Sequence, residues 1–203
     1  MLSFDTTHAI TGCLLEADAD AATHGFHGPP VLLLLHDRPL TPAGPGRLRQ
    51  IRAVAFTLHP HDVAEHTQGI PGVLTDLAAC LAATDADAAT DTAAVADPDL
   101  AAFTDAIAYP APGSRLLAWA VLYHDLHATP GGIHEVRRVD AVDVDGRVYQ
   151  ISRRRGEALA VVVIDDQPDP DATPATQPGL AALLTAAQRL THHARNAHHG
   201  AHR

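Results

Sequence analysis

The chain contains no lysine; all 14 of its Lys/Arg residues are arginine. Schiff-base chemistry needs an amine and a Walker-type phosphate loop needs its lysine. Pyridoxal enzymes, protein kinases of the usual pattern and P-loop nucleotidases are therefore excluded. Serine is confined to Ser3, Ser114 and Ser152, none within a G-x-S-x-G elbow, which argues against serine hydrolase chemistry. The two cysteines, Cys13 and Cys80, fit neither a disulfide framework nor a four-ligand zinc site. Cys80 lies on an expected helix, where a small apolar core role is the natural reading. Aromatic residues make up only 4% of the chain, so its core must be built from Leu, Val and Ala. Asparagine occurs once, at Asn196, while Ala, Asp, Pro and His abound, a bias expected of a G+C-rich genome.

No apolar run reaches the length of a membrane span. The opening "MLSFDTTHAITG" lacks the basic start and apolar core of a secretion signal. A soluble, cytoplasmic protein with no membrane partner is the expectation. The net charge of −10 is unevenly spread, because no Arg occurs between Arg52 and Arg115 and that section carries almost the whole deficit. Such a chain is repelled as a whole by phosphate backbones, which argues against nucleic acid.

The pattern of elements predicts a single α+β domain over residues 1–191, with a mainly antiparallel sheet and about three amphipathic helices packed on it. "PPVLLLL" and "RQIRAVAFTL" read as strands near 31–35 and 50–58. Val73, Leu74, Leu77 and Leu81 recur at helical spacing after Pro71, and Leu100, Phe103 and Ile107 do so after Pro98. The small, acidic stretch between, about 84–97, is expected to be a flexible loop. In "LLAWAVLYHDLHATPGG" both alternating faces are apolar over eight residues, which suits a central strand covered on both sides. With "DG" at 145–146 marking a two-residue hairpin and "ALAVVVIDD" a further strand, residues 116–164 form a four-stranded antiparallel meander. The hairpin register then sets Val142 opposite Tyr149 and sends Arg137, Asp143, Gln150 and Arg154 to the outer face. "LAALLTAAQRL" supplies a closing helix, and residues 192–203 a His-rich tail.

Three functional readings follow. The leading one is a binding protein, an accessory or regulatory factor rather than an enzyme, without a cofactor. It would meet a protein partner or a second copy through the arginine-lined hairpin of Arg137, Arg147, Arg153, Arg154 and Arg155. The alternative is a metal-dependent hydrolase in which the fold brings together His59, His61, His124 and Asp125 around a divalent ion, three imidazoles and a carboxylate being metal-ligand types. His124-Asp125 resembles the paired His-Asp of HD-type phosphohydrolases, but those are all-helical and this pair sits beside strands. On a strand His124 and His127 point to opposite faces and cannot share an ion. The third reading, nucleic-acid association, would use the same arginines.

Overall fold

The computed structural model describes residues 1–40, 49–87, 103–107, 113–169 and 172–200. Six strands, β1 (Val31–Pro39), β2 (Arg49–Thr57), β3 (Arg115–Thr129), β4 (Gly132–Asp143), β5 (Val148–Arg154) and β6 (Val161–Asp165), form one sheet in the order β2-β1-β3-β4-β5-β6. Every neighbouring pair is antiparallel. The helices are α1 (Phe4–Thr23), α2 (Pro60–Glu65), α3 (Gly69–Asp87), α4 (residues 103–107) and α5 (Gln177–Gly200). The fold is α+β, and β3 to β6 are the expected meander. No helix among the described residues is long and apolar enough to cross a membrane.

The sheet is covered on both faces because β1 and β3 are apolar at every position along their centres. Leu32, Leu34, Trp119, Val121, Val142 and Val148 turn to one side and pack with Leu74 and Leu81 of α3, Phe103 and Ile107 of α4, and Leu180, Leu183, Leu184 and Leu190 of α5. Leu33, Leu35, Ala120, Leu122, Val139, Ala141, Tyr149 and Ile151 turn to the other and meet Ile10 and Leu14 of α1. Three of the eight aromatic residues, Phe56, Phe103 and Trp119, form one cluster, with Phe56–Phe103 ring centroids 4.9 Å apart and Phe103–Trp119 centroids 5.6 Å apart. Cys80 is exposed, since the buried stripe of α3 runs Leu74, Ala78, Leu81 and leaves it outside.

The α1 helix is absent from the sequence reading. Ser3 caps it by accepting from the Thr6 N–H at 3.2 Å, but its buried positions are Ile10, Thr11, Leu14 and Asp18. A stripe that includes a carboxylate does not register as hydrophobic periodicity. Asp18 is 1% exposed and bridges two guanidiniums of the sheet. Arg137 Nε lies 2.7 Å from Oδ1, and Arg153 Nε lies 2.7 Å from Oδ2.

The hairpin register also differs. Val142 pairs with Val148, Ala141 with Tyr149 and Asp140 with Gln150, one residue away from the two-residue expectation. A type I′ turn needs positive φ at both central residues, and no non-glycine residue with positive φ occurs among those described. The chain instead takes a longer loop, in which Gly146 (φ +83°) donates to the Asp143 carbonyl at 2.9 Å. Asp143 organises it by accepting from the N–H groups of Asp145 (2.9 Å) and Arg147 (3.1 Å). Because side chains alternate with period two, the slip exchanges faces. Tyr149 and Ile151 share a side with Ala141, and Arg137 and Arg154 lie on opposite sides.

Helix α3 runs on to Asp87, so the first residues of the expected acidic loop are helical; the rest of it, 88–97, lies outside the described residues. Helix α5 continues to Gly200 and takes in most of the expected tail.

Candidate metal centre

The α1 helix ends at His24, after which Gly25 takes φ +100°, a left-handed conformation that stops a helix and turns the chain. The loop so started, "GFHGPP", lays Phe26 and His27 across the end of β3 before entering β1. His124 leaves β3 on that same face. Its ring meets Phe26 edge-on at 5.1 Å and His27 at 4.7 Å between centroids. Glu135 completes the group. Arg137 lies opposite His124 in the β3–β4 register, and Glu135, two residues earlier, shares its face.

The ligand atoms of His27, His124 and Glu135 all lie within 4.8 Å of one another, the one such trio among the described residues. Tetrahedral bonding at ~2.0–2.1 Å sets ligand atoms roughly 3.4 Å apart, so the exposed His27 side chain would have to turn inward for the three to share one ion. His124 Nε2 is buried and has no hydrogen-bond partner among the described residues. A buried imidazole nitrogen left without a partner is costly, and a metal bond removes that cost. Glu135 is held ionised, below the usual carboxylate range, chiefly by a hydrogen bond from Arg155. Beside the trio a cavity of about 170 Å³ is lined by Phe26, Pro29, Leu122, His124 and Arg137 among others, and the Arg137 guanidinium lies 5.4 Å from the Phe26 ring centroid.

Of the four residues expected to share an ion, only His124 is here. Asp125 turns to the opposite face, where Arg138 Nε holds it at 2.7 Å. His59 caps α2 by accepting from the His61 N–H at 3.3 Å, and His61 pairs with Glu65 at 3.2 Å. His27 and Glu135 escaped the sequence reading because nothing local joins a loop histidine to a strand glutamate more than a hundred residues away. The one available signal was the histidine-containing "HGFHGPP", a constrained Gly/Pro loop abutting the strand that pairs with β3.

The arginines do not form one free surface. Arg137 is 3% exposed and bound to Asp18 with Arg153. Arg147 is buried against Asp143 and also reaches Asp166 and the Thr7 hydroxyl. Arg154 and Arg155 remain at the surface, facing Glu157 and Glu135.

A second polar cavity, about 370 Å³, opens on the other face between Tyr123, Asp125, Arg138, Gln150 and Thr176. Tyr123 and Thr176 both donate to Asp140 Oδ2 at 2.7 Å, while Oδ1 is buried without a partner. Burial raises the Asp140 carboxyl pKa above its ordinary value and, with the Asp140 charge, pushes the Tyr123 phenol well up. Burial, and then the Glu16 charge, raise the Cys13 thiol above its ordinary pKa.

Comparison with protein-family models, with curated proteins and with solved structures gave no match.

Proposed function

We propose that the protein binds one divalent transition-metal ion through His27, His124 and Glu135 and acts as a metal-dependent hydrolytic centre. The observation that carries the reading is the convergence of two imidazoles and an ionised carboxylate, with the buried His124 Nε2 lacking any other partner among the described residues. Structural zinc sites close with four protein ligands, whereas catalytic ones keep three and leave a position for water or substrate. Zinc at such a position lowers the pKa of bound water to about 7. This chain's contribution is to bring the two rings edge to face beside the Glu135 carboxylate and to supply a largely apolar cavity alongside. The test is metal content. Untagged protein purified without nickel resin should carry, or take up on reconstitution, one zinc per chain more than the His27→Ala/His124→Ala double variant. Comparing the two cancels any metal held by the C-terminal histidines. Equal metal content in both proteins would remove the reading.

A second reading, self-association, is favoured by β6. Val161 and Val163 are 61% and 49% exposed, Val162 and Ile164 are also exposed, and β6 ends the sheet. An apolar edge strand without a charge in its middle is a template for pairing. The occupant that suits it is a second copy running antiparallel across a two-fold axis. That arrangement brings the acidic Asp165–Asp166 end of each β6 towards the Arg154–Arg155 end of the other sheet. Val163→Lys should convert a dimer to monomer in light scattering, and a monomeric wild-type protein at high concentration would exclude the pairing.

A further inference from the structure

Arg155 stands where a metal ion would compete for the same partners. Its Nη1 contacts Glu135 Oε2 and lies 3.4 Å from His27 Nε2, so one guanidinium touches two of the three ligand groups. Its anchor is fixed: the Arg155 N–H donates to the Glu135 carbonyl at 3.0 Å, and Gly156 (φ +85°) turns the chain immediately after. The side chain itself is 59% exposed and has room to swing. A positive fork and a divalent ion on one carboxylate repel each other at contact distance. Each therefore weakens the other's hold on Glu135, and the two compete for Oε2.

We infer that Arg155 guards the metal-free centre and, once an ion displaces it, turns its guanidinium to an anionic ligand, a carboxylate or a phosphate, at the open coordination position. This rests on the reading of His27, His124 and Glu135 as a metal site. The geometry supplies both halves. Displacement removes the one carboxylate that Arg155 bonds among the described residues, and the backbone bond keeps the freed side chain beside Glu135, within reach of whatever the ion binds. Guanidinium pairs with carboxylate or phosphate oxygens through two parallel N–H donors, which a lysine ammonium does not offer. The ligand class follows from that fork and from the ion's own charge, which both favour an oxyanion.

The experiment titrates Co²⁺ into the full chain and reads the visible absorption that His124→Ala abolishes, for wild type, Arg155→Gln and Arg155→Lys. Arg155→Gln should bind Co²⁺ about two- to fivefold more tightly, the effect of removing one exposed charge pair that competes with the ion. Inorganic phosphate and acetate should tighten Co²⁺ binding and shift the spectrum in wild type. The effect should be weaker in Arg155→Lys and absent in Arg155→Gln. Far-ultraviolet circular dichroism confirms that the variants fold. Equal Co²⁺ affinity in wild type and Arg155→Gln, or an undiminished anion response in Arg155→Gln, overturns the inference while leaving the metal site standing. Absence of any His124-dependent absorption in all three proteins overturns both.

Discussion

His124 and Asp125 are adjacent in the chain and stand on opposite faces of the sheet. His124 turns toward His27 and Glu135, while Asp125 turns toward Arg138 and the second cavity. Pleating alone separates them, and it divides the molecule's chemistry between two sides.

That separation has a direct test. His27→Ala and His124→Ala should each abolish stoichiometric metal binding, whereas Asp125→Asn, His59→Ala and His61→Ala should leave it unchanged within about twofold, as expected of residues outside the coordination set. Elemental analysis of the five variants distinguishes the trio from the alternative ligand set. Loss of metal in Asp125→Asn would refute the assignment.

Asp18 predicts the largest stability effect. Asp18→Ala leaves Arg137, itself nearly fully buried, without its carboxylate. Removing one partner of a buried ion pair costs about 3–5 kcal/mol, so urea unfolding should shift by that amount. A cost below about 1 kcal/mol, the range of a surface pair, would show that α1 is not docked as described.

Asp140 predicts a pH dependence. Burial raises its folded pKa, opposed by hydrogen bonds from Tyr123 and Thr176 and by the Arg138 charge, and reinforced by Asp125. A raised acid pKa means that the folded state favours the proton. This contribution to stability is complete below the unfolded value of about 3.9 and is lost as pH rises through the folded value. Asp140→Asn keeps the neutral form at every pH. The melting temperature of wild type relative to Asp140→Asn should therefore fall between pH 4 and pH 7. A rise over that interval would contradict the sign.

At the β4–β5 loop, Gly146→Ala should destabilise by about 1–2 kcal/mol, because φ +83° places a Cβ against the backbone. Asp145→Gly should destabilise by about 0.5–1 kcal/mol, since Asp145 already has negative φ and glycine there adds only unfolded-state freedom and loses the contact with the Leu2 N–H. In a type I′ turn the same change would relieve a strained residue, so a marked gain in stability would favour the two-residue register.

How much of this was legible follows from what each signal depends on. The double-faced apolar run of β3 fixed its place at the centre of the sheet, because burial on both sides leaves no polar alternation. The Leu180, Leu183, Leu184 and Leu190 stripe of α5 was equally plain. The Asp145-Gly146 pair announced a turn without its length, since the deciding contacts are hydrogen bonds from Asp143. Arg137 and Arg153 looked solvent-facing because their partner, Asp18, lies on a helix whose burial depends on that very charge pairing. The metal trio was hidden for the same reason: His27 and Glu135 acquire meaning only through tertiary contact with His124.

His27 hangs from the end of α1, and α1 is held to the sheet by Ile10, Leu14 and the Asp18 bridge. On the proposed function, metal affinity and N-terminal docking would be thermodynamically linked: whatever loosens that segment would weaken coordination, and saturating ion should in turn raise the free energy needed to peel it away. Protease resistance of the first two dozen residues would then become a readout of occupancy at a site on the far end of the sheet.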